Sequence, residues 1–556
     1  LDRPFQRLDA NSDEAQFAIE RGLELRLGIE ALEAQANANR QRVAAQIEEH
    51  GGLPEALNIN LKLSPTTHTQ WMWGQLAAKL VRIGVYDELR KGGHEKKAGK
   101  ELTADETKWN PLADLMMTMA PDVGTSTNIN PAMDEKIFGP KHDENWESKL
   151  DLHERLRPEL APTDEAWTRH IRFEIAEANC MTAVGSFGKM GDCAGIPFLP
   201  MMTVYDFFIK RALDQLYYNL YWGSSFVLVG TPSGITLAPE GAQHSWKSDI
   251  QIPNLITWEP LFAIEVDWIL SDAIRRHMED DNAGRRGVLI RAVTRAAKQK
   301  ELLELMKTQA RYKGHDAGLL APKGASWDGA TDESTVATMP ADEILAGVRA
   351  DVMEGGYYLV DYRGYAGYEP GDNVVHIFAM GSLADGAVAA SKALLERGIY
   401  ANVIHVSSPE LLFGILGHES DYRHLKEGLS IDGNLHLVPS GETDAAGLAG
   451  LAGRRVPIVA VCDGEAGLLD NIGSIVGVRQ ETLAVRKFSK CGRPSEVFKY
   501  QHLDADSIAE ACGKVLSETA LEDVRVSSTT LDRVAGSPRQ AGIGDWRELW
   551  PAPVKD

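Results

Sequence analysis

A chain of 556 residues with a formal net charge of −22 lacks the clustered lysine and arginine that a phosphate-binding surface needs, which excludes nucleic acid as a partner. Hydrophobic residues at 44 % and charged residues at 25 % match ordinary globular usage and exclude wholesale disorder. At about 150 residues per unit the length calls for three or four structural units, and no run of about 20 apolar residues is present to span a membrane as a helix.

Residues 13–49 are rich in Ala, Glu, Leu and Arg, with Asp13 and Glu14 at the start and Gly51-Gly52 past the end. That pattern predicts one or two exposed helices, and makes 1–63 a helical linker. The chain begins at Leu1 with neither Met nor an apolar signal region, so a processed chain or a fragment is expected. From residue 64, SPTTHTQWMWGQLAAKLVRIG carries apolar positions at helical spacing and opens a domain. The short apolar runs 226–229, 254–258 and 287–291 read as buried strands, alternating with helical segments at 204–221 and 260–278. Such alternation predicts a parallel sheet covered on both faces. Residues 307–342 are polar and aperiodic, and read as a loop or linker. A second β-α-β rhythm follows, with a strand at 373–378, a helix at 383–397 and strands at 401–406 and 456–461. The expected fold class is therefore α/β, with two open, mainly parallel sheets flanked by helices in 64–345 and 346–556, behind the N-terminal helical linker.

The five cysteines, Cys180, Cys193, Cys462, Cys491 and Cys512, lie apart, with no C-x-x-C pair and no histidine at metal-ligand spacing. Structural or incidental thiols in a reducing compartment are the reading, which predicts a cytoplasmic location, or the mitochondrial matrix in a eukaryote.

Four strings hold the residues suited to chemistry. Glu177 lies in TRHIRFEIAEANCMT (168–182), ahead of the small-residue run AVGSFGKMGDCAG. Tyr205 and Phe207 lie in IPFLPMMTVYDFFIKRALDQLYY (196–218), where a core helix with several aromatics is the plain alternative. Glu240 and His244 fall in a Gly/Pro/Ser-rich loop within GTPSGITLAPEGAQHSWKSDIQIPNLITWEP (230–260), between two expected strands. In parallel α/β sheets such strand-end loops form the ligand crevice, and imidazole exchanges protons near neutral pH. Asp122 in MAPDVGTSTNIN reads equally as a turn former.

In this order the strings resemble the thiamine diphosphate-dependent transketolase superfamily, in particular the homodimeric type of pyruvate or 2-oxo acid dehydrogenase decarboxylating component. The Arg-aromatic-x-Ile-x-Glu string is similar to the cofactor-activating signature, and PEGAQH to the GEGLQH-like segment of those dehydrogenases. The match spans roughly residues 64–550, and covers the pyrimidine-binding and C-terminal domains; KFSKCGRPSEVFKYQHLDADSIAEA (487–511) resembles the packing or regulatory ending of the latter. The resemblance implies that the Glu177 carboxyl meets the aminopyrimidine ring and shifts it to the imino tautomer. It further implies that Tyr205, or Phe207 in its stead, stacks on that ring, and that Asp122 organises the pocket. His244 becomes a proton donor or substrate ligand beside Glu240, while His170, Arg172 and His68 are polar or basic groups for an anionic substrate. The implied reaction is decarboxylation of a 2-oxo acid, most of all pyruvate, with acyl transfer to a lipoyl group. Ketol transfer between sugar phosphates and a non-catalytic structural or regulatory subunit are the alternatives.

One feature of that family is missing. Its members hold the diphosphate through magnesium on a Gly-Asp-Gly motif, whereas this chain offers only Gly191-Asp192-Cys193 and Gly371-Asp372-Asn373. Hard Mg²⁺ wants oxygen ligands and phosphates. The magnesium ligands are therefore expected outside this chain, on a missing N-terminal domain or a companion polypeptide in a homodimer-type assembly. A lipoyl acyltransferase is a further expected partner, and the chain alone is expected to be inactive.

Overall fold

The computed structural model describes residues 8–58, 65–121, 124, 126–133, 137–138, 170–173, 175–235, 252–278, 287–313, 339–431 and 455–525. The N-terminal segment is one continuous helix, α1 (Asp13–Glu49), started by Ser12, whose hydroxyl accepts from the Ala15 N–H at 3.1 Å, with Asp13 and Glu14 in the first turn. It docks by its C-terminal half. The Asn39 amide donates to Ala194 O and the Arg40 guanidinium to Asp192 O, and Gly195, in the left-handed region, lies so close that a Cβ there would meet Ala36 O at 1.9 Å. The N-terminal half leaves Phe17, Leu23, Leu25 and Leu27 exposed.

Helix α2 (Thr69–Gly84) crosses the first sheet, and its fully buried Trp73 donates through Nε1 to the Thr203 hydroxyl at 3.1 Å. That sheet has seven strands: β1 (Met116–Ala120), β2 (Ile137–Phe138), β3 (His170–Arg172), β4 (Leu199–Val204), β5 (Val227–Gly230), β6 (Leu255–Trp258) and β7 (Gly287–Arg291). They run in the order β2-β3-β1-β4-β5-β7-β6, every pairing parallel. Buried on both faces, a strand such as VLVG is a continuous apolar run rather than an alternating one. Helices α3 (Glu177–Gly188), α4 (Leu213–Tyr221) and α5 (Ala263–Met278) cover it. The expected helix over 204–221 divides. Val204 ends β4, residues Asp206–Ala212 form a 3₁₀ helix, and only then does α4 begin.

The second sheet follows α6 (Ala341–Met353), with 314–338 of the expected loop outside the described residues. Strands β8 (Gly356–Val360), β9 (Val374–Met380), β10 (Tyr400–Val406), β11 (Ile458–Val461) and β12 (Gln480–Leu483) lie in the order β8-β10-β9-β11-β12. Only the β8–β10 pairing is antiparallel, so the expectation of two mainly parallel sheets is borne out. Helices α7 (Ala384–Leu395) and α8 (Ala505–Arg525) pack on it. Among the described residues no helix is long and apolar enough to cross a membrane.

A polar seam joins the sheets. The Glu259 N–H donates to Ser407 O at 2.8 Å, the Ile235 N–H to Asp463 at 2.9 Å, and the Tyr357 hydroxyl to Glu265 at 2.7 Å. The Thr257 hydroxyl donates to the Glu410 carboxyl.

Candidate functional site

Glu177 is the first residue of α3, where a carboxylate is favoured by the helix dipole, and it is only 6 % exposed. The small-residue run after it has a packing reason. Gly185 and Gly188, one turn apart on α3, touch Asn219 and Ser225, and a Cβ on Gly185 would come within 1.9 Å of the Asn219 side chain. With that close approach fixed, the Asn219 amide donates to Met181 O at 2.8 Å and α4 holds α3 in place. One turn along α3, burial and the charge of Glu177 push the Cys180 thiol up, so this thiol is no nucleophile.

The aromatic segment faces Glu177 through its 3₁₀ geometry. At three residues per turn, residues i, i+3 and i+6 eclipse. Tyr205, Phe208 and Arg211 therefore line one edge, while Asp206, Phe207, Ile209 and Ala212 are buried. Tyr205 and Phe208 centroids stand 5.5 Å apart, and the central carbon of the Arg211 guanidinium lies over the Phe208 ring, 3.3 Å from its centroid. The same guanidinium donates to Glu177 Oε1 at 2.7 Å. Of the two expected rings, Tyr205 joins this edge and Phe207 packs behind it, edge-on to Phe208 at 4.5 Å. Phe208 and Arg211 were missed by the sequence reading, and the signal that would have found them is the spacing of three in Tyr-x-x-Phe-x-x-Arg.

Beneath this edge, Arg291 at the end of β7 anchors the turn. Its guanidinium, 1 % exposed, meets Asp206 at 3.0 Å and Glu259 at 3.2 Å, and Asp206 also accepts from the Ser233 hydroxyl at 2.8 Å. Burial opposes the Arg291 charge, but Asp206, Glu259 and Glu410 outweigh it and hold the cation. Among the described residues its Nη2 has no hydrogen-bond partner. Three buried carboxylates share one cation, and the balance falls on Glu410, whose carboxyl burial pushes up to about 7 against the pull of the Thr257 bond and Arg291.

The remaining expected residues distribute as follows. His170 is wholly buried in β3, its Nδ1 2.9 Å from the Thr118 hydroxyl on β1. His68 caps α2, its Nδ1 accepting from the Trp71 N–H at 3.0 Å, and burial pushes its pKa down against a backbone bond to Val293. Of Arg172 the structure describes the backbone, in β3. Asp122, Glu240 and His244 lie outside the described residues. Asp192 pairs with Lys189 at 2.8 Å and Asp372 closes a turn onto Glu369. Among the described residues no group of three or more His, Cys, Asp or Glu is placed to hold a metal.

No model of a known protein family matches the chain. Over 293 residues, 50 % of this chain and 41 % of the relative, it is 27 % identical to the 1-deoxy-D-xylulose-5-phosphate synthase of Thioalkalivibrio sulfidiphilus. A stretch of 113 residues, 18 % of this chain and 12 % of the relative, is 29 % identical to the pyruvate dehydrogenase E1 component of Buchnera aphidicola subsp. Schizaphis graminum. In three dimensions the transketolase from Leishmania mexicana matches 92 % of this chain and 56 % of its own length, with a TM-score of 0.52 at 14 % identity. The chain spans about half, or less, of the length of these proteins. Its fold is transketolase-like, and the similarities bear out the resemblance to the transketolase superfamily read from the sequence.

Proposed function

We propose that this chain binds the aminopyrimidine end of thiamine diphosphate and takes part in decarboxylation of a 2-oxo acid, pyruvate first, with acyl transfer to a lipoyl group. The observation that supports this most is the placement of Glu177: a buried carboxylate that shares one planar partner with an aromatic face, that of Phe208. A carboxyl beside a stacking ring is what an aminopyrimidine needs in order to be held and to exchange a proton at its ring nitrogen. The bound cofactor supplies the carbanion chemistry. Glu177 holds and moves the proton, Tyr205 and Phe208 orient the ring with Phe207 behind them, and Arg291 fixes the turn that carries them.

His244 is assigned the proton-donating or substrate-binding role, with Glu240, His170 and Arg172 on the substrate side and Asp122 in the cofactor pocket. Mg²⁺ and the diphosphate are assigned to a polypeptide or domain with a Gly-Asp-Gly motif, in a homodimer-type assembly. The chain is assigned a helical linker, 1–63, and two α/β units, 64–345 and 346–556, with a boundary that falls inside α6. A second reading is favoured by the longer of the two sequence similarities, in which a sugar phosphate accepts or donates the transferred unit.

The test supplies the chain with a Gly-Asp-Gly-bearing polypeptide, thiamine diphosphate and Mg²⁺, then offers pyruvate with a lipoyl acceptor or, separately, sugar phosphates. Acyl transfer from pyruvate is the expected result. Turnover of sugar phosphates alone replaces it with the second reading, and no thiamine binding leaves a structural or regulatory subunit.

A further inference from the structure

The geometry points to Arg211 as an internal occupant of the seat between Phe208 and Glu177, a plug that must swing out before an aminopyrimidine can enter. This inference rests on the cofactor reading above and adds a gate to it. A guanidinium is a flat, delocalised cation with N–H groups at its rim. Arg211 lies 3.3 Å from the Phe208 centroid and donates to Glu177 at 2.7 Å. Those are the two contacts, stacking and a hydrogen bond to the carboxylate, that an amino-substituted pyrimidine would make. At 3.3 Å no second ring fits on the same face of Phe208, so the two occupants exclude each other. Phe207 and Tyr205 crowd the Phe208 ring as well, with centroids 4.5 and 5.5 Å from it.

Arg211 is able to leave. Its side chain is 49 % exposed and sits at the end of the 3₁₀ turn, whereas Glu177 is held at 7 %. A half-exposed ion pair with one cation–π contact is weak, worth about a factor of ten in a binding constant. The seat is thus occupied but not locked. A ligand sees an affinity reduced by the fraction of chains in which Arg211 is out.

The experiment is calorimetric titration of the full chain with 4-amino-2-methylpyrimidine and, separately, with thiamine. Arg211→Met, which keeps the aliphatic length without the fork, is expected to bind both about tenfold more tightly than the unsubstituted chain. Arg211→Lys, which retains a cation to pair with Glu177 but no plane to stack, is expected between the two, and adding Glu177→Gln to Arg211→Met is expected to abolish the gain. Equal affinity of the unsubstituted chain and Arg211→Met for both probes overturns the gate and leaves the cofactor assignment standing. A gain for the pyrimidine with no binding of thiamine keeps the gate and removes the cofactor assignment. No binding of either probe by any of the proteins overturns both, with an unchanged denaturant midpoint showing that the variants are folded.

Discussion

Two arginine–carboxylate groups lie on either side of one 3₁₀ turn, and they differ in what surrounds them. Arg211 meets Glu177 at the rim with half of its side chain in water, while Arg291 meets Asp206 and Glu259 with almost none. In the first group the cation is replaceable, because water can solvate either partner when they part. In the second, parting leaves a charge in a medium that cannot solvate it. The turn between them is consequently clamped on its inner side and adjustable on its outer side. That asymmetry lets Tyr205 and Phe208 keep a fixed position while the group above them changes.

The comparison is tested most severely at the rim itself. In an assembly of this chain with a Gly-Asp-Gly-bearing polypeptide, thiamine diphosphate and Mg²⁺, as proposed above, Glu177→Gln is expected to slow proton–deuteron exchange at the thiazolium carbon by about 10²–10⁴-fold while leaving the unfolding midpoint almost unmoved. An unchanged exchange rate, followed by NMR, would remove Glu177 from the chemistry.

The buried group is expected to show the opposite profile. Arg291→Met strands Asp206, Glu259 and Glu410 without a cation and is expected to cost about 3–5 kcal/mol in urea unfolding. Arg211→Met is expected to cost under about 1 kcal/mol in the same measurement. Similar costs for the two would erase the distinction between clamp and rim.

A smaller, pH-dependent effect sharpens it. The Glu410 carboxyl, pushed up to about 7 by burial, titrates above the 4.5 ordinary for a glutamate. Its contribution to stability is therefore fully present below about pH 4.5 and is lost as pH rises through about 7. Glu410→Gln, which stays neutral, is expected to match the unsubstituted chain at pH 4.5 and to exceed it at pH 8 by up to about 3 kcal/mol. Chemical unfolding of both proteins at the two pH values checks this, and a constant difference between them would place Glu410 outside the cluster.

The legible parts of the sequence were those with one dominant physical cause. Apolar runs such as Phe226-Val227-Leu228-Val229 and Gly287-Val288-Leu289-Ile290 announce doubly covered strands, and both lie within a residue of the observed β5 and β7. Strand Met116–Ala120 and strand Leu199–Val204 were not read as strands, because methionine and proline carry little β preference and only their neighbours in the parallel sheet decide them. Glu177 was found through its flanking string. Phe208 and Arg211 are hidden because the apolar spacing of 204–221 fits the α-helical period, which puts positions 205, 208 and 211 on a drifting face rather than along one edge. The Arg291 clamp was invisible for another reason: Asp206, Glu259 and Glu410 are distant in sequence and meet only where the two sheets join.

The seam between the sheets also decides how the molecule comes apart. Glu410 and Tyr357 belong to the second half, whereas Thr257, Glu265 and Arg291 belong to the first, so neither half can detach without baring groups whose partners left with the other. Solvating those groups raises the free energy of every state in which one half is folded and the other is not. Partly melted forms are therefore scarce at equilibrium, and the two sheets are coupled into one cooperative unit even though each has its own hydrogen-bonded ladder.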